Sequence, residues 1–255
     1  MCPGRVTVPD DLSFENNSGE KFAAVVANVT ENPTPGSDEI DKAFDEGWIG
    51  KKGYQKADGT WQHRAVAFQG NTRNTKGQTI TEVFVSDIPD DITHAVSGKP
   101  LEGTSTTRPN APAGVTQRRI TFTEHGIEGP RHWLKSTSDG ASVFFTAKDS
   151  AGIVQIYAVS PNGGTIQQIT HNSFPVDGPI NVSPDDRYIA YVADNSIFAT
   201  EIKTGESFRL NKPSGEDIKP AGAAVWSNDG KMIAFNRRIK DGDSSYFQIF
   251  LLKRL

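Results

Sequence analysis

The residues best equipped for chemistry are a few histidines, carboxylates and basic groups gathered in three short segments. His125, Glu128, Arg131 and His132 form the first, His171, Asn172 and Asp177 the second, and Glu216, Asp217 and Lys219 the third. A histidine beside carboxylates can hold a metal ion or pass a proton near neutral pH, because its ring titrates there. Arg131, His132, His171 and Asp177 are the candidate binding residues on this ground. A plainer role competes with it: Arg131 and His132 as caps of strand ends, bonded to loop carbonyls. No catalytic residue is assigned. The chain holds no phosphate-cradling glycine loop, no Gly-x-Ser-x-Gly turn, no His-Glu-x-x-His pair and no Cys/His cluster at zinc spacing.

Two further groups invite attention. The acidic run Asp38, Glu39, Asp41, Asp45 and Glu46 lacks the alternating ligand pattern of a calcium loop and reads as a solvated helix face. Trp48, Tyr54 and Trp61 read as exposed aromatics, either a landing surface for a partner or the packing of an insertion.

The elements that must position these residues are short strands. Hydrophobic residues make up 35% of the 255 positions and charged residues 23%, while 24 glycines and 15 prolines favour many tight turns over long helices. The second half repeats itself. Turns at Ser138-Asp139-Gly140, Pro184-Asp185-Asp186 and Ser227-Asn228-Asp229-Gly230 each separate two apolar strands, and their aspartates lie 46 and 44 residues apart. That period suits four-stranded propeller blades. Runs such as Val143-Phe144-Phe145 and Ile189-Ala190-Tyr191-Val192 are apolar on both faces, as strands squeezed between neighbouring sheets must be.

The first half reads as a less regular blade, with strands at residues 22–29, 64–70, 80–88 and 116–123. Between the first two, Ser37 caps a short helix over 37–47 whose apolar face is Ile40, Ala43 and Phe44, and Gly47 ends it. Residues 89–115 read as a long outer loop. The expected fold is all-β: one propeller domain over 1–255 with about four blades, at 20–123, 131–170, 178–211 and 222–255. The last blade stops after its third strand, and Arg5-Val6-Thr7-Val8 is the one stretch ahead of the first blade that could close it. The expectation here is an open or loosely closed arc.

The segments Ser227-Asn228-Asp229-Gly230-Lys231-Met232-Ile233-Ala234-Phe235 and Ile156-Tyr157-Ala158-Val159-Ser160-Pro161-Asn162-Gly163-Gly164 resemble the repeat of TolB-like propellers. Glu46-Gly47-Trp48, Gln117-Arg118-Arg119-Ile120-Thr121-Phe122-Thr123 and Pro130-Arg131-His132-Trp133 resemble an uncharacterised bacterial branch, the YidR-like proteins. The resemblance implies a propeller of which this chain is the C-terminal part, and it carries no established activity or catalytic residue.

The function expected is a non-enzymatic binding module for a protein or a small-molecule or carbohydrate ligand, without a cofactor. The alternative is a carbohydrate-directed lyase or hydrolase with a divalent metal ion at the channel mouth, since the oligogalacturonate lyases, which the chain also resembles, bind a metal through histidines there. A formal charge of −4 offers no basic field for nucleic acid. No apolar run is long enough to span a bilayer, and the first residues lack a secretion signal, so the chain as written is expected in the cytoplasm, or in the periplasm if its start is truncated.

Overall fold

A computed structural model describes residues 4–8, 19–130 and 132–253. Among them the only helical element is a short 3-10 turn at Glu216–Ile218. In chain order the strands are β1 (Gly4–Val8), β2 (Gly19–Ala23), β3 (Lys42–Trp48), β4 (Tyr54–Gln55), β5 (Trp61–Gln62), β6 (Arg64–Arg73), β7 (Thr79–Ile88) and β8 (Thr116–Arg119). There follow β9 (Lys135–Ser136), β10 (Val143–Lys148), β11 (Val154–Val159), β12 (Gln167–Gln168), β13 (Asn181–Val182), β14 (Tyr188–Ala193), β15 (Ser196–Glu201) and β16 (Ser207–Arg209). The last three are β17 (Pro220–Trp226), β18 (Met232–Asp241) and β19 (Ser244–Lys253).

These strands form four main antiparallel sheets in sequence order. The first is β3-β6-β7-β8, the second β9-β10-β11-β12, the third β13-β14-β15-β16, and the last β17-β18-β19. The repeat aspartates make the turns as their side chains allow. Asp139 accepts from Ala141 N at 2.9 Å, Asp185 from Ser183 Oγ at 2.6 Å, and Asp229 from Ser227 Oγ at 2.6 Å. Hydrogen bonds led by the Thr137, Ser183 and Ser227 hydroxyls hold all three carboxyls below their ordinary range.

Period-two alternation in the middle strands builds the core between sheets rather than inside one. Val143, Phe145 and Ala147 of β10 join Val83 and Val85 of the first sheet, whereas Phe144 between them joins Ile189 and Tyr191 of the third. In β14 the same division sends Ile189, Tyr191 and Ala193 back to the second sheet and Ala190 and Val192 forward to Ile233 and Phe235 of the last. Trp226 lies in β17 and packs partly buried against that forward core, as its place in an innermost strand leads one to expect.

Several expectations are corrected. Residues 37–47 are not helical: β3 begins at Lys42 and pairs with β6, with a register shift between Phe44 and Gly47. The innermost strand of the first sheet is therefore β3 and not 22–29. Residues 24–41 instead run as irregular chain that lays Ala27, Val29 and Ile40 on Phe68 and Phe84, covering the far face of that sheet. Tyr54 is buried at 1% exposure, while Trp48 and Trp61 are exposed. In keeping with the expected open arc, the stretch 4–8 pairs with β2 and not with β19, so the pairing that would join the two ends is not made.

Three substitutions test this packing in urea unfolding. Phe144→Ala, at a fully buried ring between two sheets, should cost about 3–5 kcal/mol. Gly47→Ala places a Cβ 2.3 Å from the Leu134 carbonyl oxygen and should cost about 1–3 kcal/mol through overpacking. Asp185→Ala should cost about 0.5–2 kcal/mol, as for a lost cap. Because the turn carboxyls titrate below their unfolded value of about 3.9, their contribution is complete above that pH and is lost as pH falls through the folded values. Asp185→Ala should flatten that acid limb.

Candidate functional site

The innermost strands approach one another so closely that backbone meets backbone. Leu134 N donates to Asp45 O at 3.2 Å, and Ser136 Oγ bonds Trp48 O at 3.1 Å and accepts from Gly50 N at 2.9 Å. Gly47 stands opposite Leu134 because no side chain fits there. The chain reaches this register by bulging at Asp45, whose φ is 54°. An L-residue pays for that left-handed conformation, and aspartate tolerates it better than most.

Asp45 lies close enough to His132 for its charge to act on the imidazole. Asp45 Oδ2 and His132 Nε2 are both buried and have no hydrogen-bond partner. Burial pushes the His132 imidazole below its ordinary value, and the Asp45 carboxylate partly opposes this. The backbone of His132 is held from the first sheet, Gln69 Nε2 donating to its carbonyl at 3.0 Å. The result is a neutral imidazole under the influence of a carboxylate, each with one unspent polar atom. Such a pair can accept a donor from a ligand, hold a cation, or exchange a proton.

The other expected residues lie in separate surroundings. His171 is exposed and acts on Asp149, whose carboxyl is held low chiefly by the Ile153 backbone N–H. Asp177 is mostly exposed along its length, yet its carboxyl is pushed up by local burial, with Asp194 and Glu216 adding to the rise and Lys219 opposing it. Arg131 lies outside the described residues. Among those described, no three His, Cys, Asp or Glu side chains gather as a metal site would need.

The remaining polar groups of the three segments have partners within the protein. Glu128 pairs with Lys148 at 3.5 Å, Asn172 Nδ2 donates to Tyr191 OH at 2.9 Å, and Glu216 accepts from Asn195 Nδ2 at 2.7 Å. Lys240 holds Asp217 at 2.5 Å. Asp45 is the residue that sequence reasoning missed, having read it as part of a solvated helix face. Its neighbour Gly47, two residues on in a strand, was the available signal for a bulge.

No model of a described protein family matches the chain. Among solved structures, TolB from Acinetobacter baumannii is 20% identical with a TM-score of 0.43, covering 80% of this chain and 40% of its own. An oligogalacturonate lyase from Vibrio parahaemolyticus is 17% identical with a TM-score of 0.38, covering 46% of this chain and 35% of its own. In sequence, the uncharacterized protein YidR of Escherichia coli (strain K12) is 36% identical over 230 residues, which are 86% of this chain and 51% of that protein. No helix among the described residues is long and apolar enough to cross a membrane. The chain is a homologue of YidR and spans about half the length of that relative.

Proposed function

We propose that the chain acts as a non-enzymatic binding module of the TolB-like propeller kind, with Asp45 and His132 as its polar contact to the ligand. The observation that carries this reading is the pair of buried, unpartnered atoms, Asp45 Oδ2 and His132 Nε2, beside a backbone outlier on an innermost strand. Buried polar atoms without partners are rare and costly in native proteins. Strain of this kind gathers where a ligand makes use of it. The chemistry suits a ligand that presents hydroxyl or nitrogen donors, as a carbohydrate or a protein side chain does.

A second reading rests on the same residues. Burial keeps His132 neutral, the state in which an imidazole ligates a metal or accepts a proton. With a divalent metal ion, this pair would serve a carbohydrate-directed lyase or hydrolase. Incubation with manganese and oligogalacturonate separates the two. The binding module leaves the polymer intact, while unsaturated product that disappears in Asp45→Asn and in His132→Ala would establish the lyase.

Two outcomes bear on the pair itself. Asp45→Gly relieves both the left-handed backbone and the unpartnered carboxylate, so it should raise stability by about 1 kcal/mol in urea unfolding. A loss would mark Asp45 as structural. Because His132 titrates below its unfolded value of about 6.5, the unfolded chain binds more protons in that window. Stability is therefore greatest above the unfolded value and declines as pH falls toward the folded one. His132→Gln should lessen that decline, and the imidazole resonance should titrate below its ordinary value, lower still in Asp45→Asn.

A further inference from the structure

The rim between the first and second sheets and the rim between the third and last are built from equivalent residues. Ile120 N donates to Val83 O at 2.9 Å and Leu210 N to Ile197 O at 2.8 Å, which aligns the first sheet with the third residue by residue. Val85, Arg118 and Ile120 thereby correspond to Ala199, Phe208 and Leu210. On the facing sheets Gly140 and Gly230 correspond, since Gly140 N donates to Thr137 O and Gly230 N to Ser227 O. The first rim is filled by the β4–β5 hairpin. It inserts Tyr54, 1% exposed, so close to the turn that a Cβ on Gly140 would lie 2.8 Å from the Tyr54 Cβ. The other rim holds a cleft of about 700 Å³ lined by Ala199, Phe208, Leu210 and Gly230. Phe208 and Leu210 are exposed at 40 and 38%, and a Cβ on Gly230 would meet nothing nearer than Pro184 Cδ at 3.9 Å.

We infer that this cleft binds a peptide segment of a partner protein, which inserts a phenylalanine side chain where Tyr54 sits at the first rim. The filled rim shows what the empty one accepts. A peptide fits because the hairpin bonds the turn through its backbone, Lys51 N donating to Ser138 O at 2.8 Å. Counting from the turn glycines, Asn228 stands in the place of Ser138 and lines the open cleft, so its carbonyl can take the same bond. The ring is phenyl because the polar partners of the phenol are gone. Tyr54 OH donates to Asp87 at 2.8 Å and accepts from Arg118 at 2.5 Å, and Phe208 replaces that arginine. A hydroxyl buried there would lose its water without gaining the arginine, whereas an apolar ring gains contact with Phe208 and Leu210. The volume lies within the range of about 300–1,000 Å³ usual for ligand sites. This second site stands apart from Asp45 and His132, which belong to the interface of the first two sheets.

The test is a titration of the isotope-labelled chain, followed by amide resonances, with the end-blocked peptide Lys-Gly-Phe-Gln-Lys, which copies residues 52–56 with Phe in place of Tyr54. Shifts are expected at Gly230 and Leu210. Binding should weaken about tenfold or more when the phenylalanine is alanine, and about threefold or more when it is tyrosine. Phe208→Arg restores the arginine of the first rim beside Glu201, which takes the place of Asp87, and should reverse the preference toward the tyrosine peptide. If that variant does not fold, Leu210→Ala carries the comparison and should weaken the phenylalanine peptide several-fold. Absence of shifts at Gly230 and Leu210 with millimolar peptide, or equal binding of the phenylalanine and alanine peptides, would overturn the inference. So would toluene binding as tightly as the peptide, since the cleft would then take a free aromatic molecule. Resonances of Gly230 and Leu210 that move on dilution of the chain alone would overturn it as well, by making a second copy the occupant.

Discussion

The constraint on which the rest of the structure depends is that each sheet has two apolar faces and must cover both. A strand such as β10 cannot be stabilised by its own sheet, because Val143 and Phe145 emerge on one side and Phe144 on the other, all buried. Stacking sheet on sheet satisfies this, and consecutive repeats make the neighbours sequential. The demand then passes to the ends of the stack. At the first sheet it is met by irregular chain, since Ala27, Val29 and Ile40 lie on Phe68 and Phe84. There Asn28 N bonds Gln117 Oε1 at 2.8 Å and Thr30 N bonds Ile40 O at 2.8 Å, so the covering segment satisfies its own backbone as well.

Face-to-face packing alone would leave the innermost strands free to slide, and polar links fix them. Ser138 donates from N and Oγ to Asp186, and Trp226 N donates to Asn181 Oδ1 at 2.9 Å, joining the second to the third sheet and the third to the last. Between the first and second sheets the link is direct, backbone to backbone, and closer. Gly47 permits that approach and Asp45 takes the distortion. The candidate site is thus a by-product of this close inter-sheet contact: the left-handed residue in the bulge that seats Leu134 against β3 is the one whose charge acts on His132.

The regular half was legible because its signals are local. A turn aspartate bonds the chain two residues on, and two-faced apolar runs declare themselves within six residues. The segment 37–47 was not, because Ile40, Ala43 and Phe44 satisfy helical spacing as well as they satisfy a bulged strand. Only pairing with β6, some twenty residues away, decides between them. Tyr54 was misplaced for a related reason. Its phenol bonds Asp87 at 2.8 Å, Arg118 reaches both, and these partners come from far along the chain. Of the site, His132 was visible as a histidine in a loop entering an innermost strand. Asp45 was hidden by the mistaken helix, and no local pattern joins it to a residue 87 positions on.

The Tyr54 network shows how unevenly the interfaces are finished. Burial, with the Asp87 hydrogen bond, pushes the Tyr54 phenol up to about 12, so it remains protonated and keeps donating. Arg118 in turn donates to Pro161 O at 2.8 Å, and the hairpin β4–β5 thereby plugs the outer rim between the first and second sheets. The corresponding rim between the third and last sheets has no such plug. It opens as a cleft of about 700 Å³, lined by Tyr188, Phe208, Leu210 and Trp226. Counting back from the turn aspartates, Trp226 occupies the place of Val182 and Ser136 in the preceding repeats, a larger ring where they have smaller groups. Its bulk fills the inner part of a gap that the hairpin closes elsewhere, at the cost of leaving Nε1 buried without a partner. Asp45 and His132 thus sit at the interface whose outer rim the hairpin covers, while the rim beside Trp226 stays open.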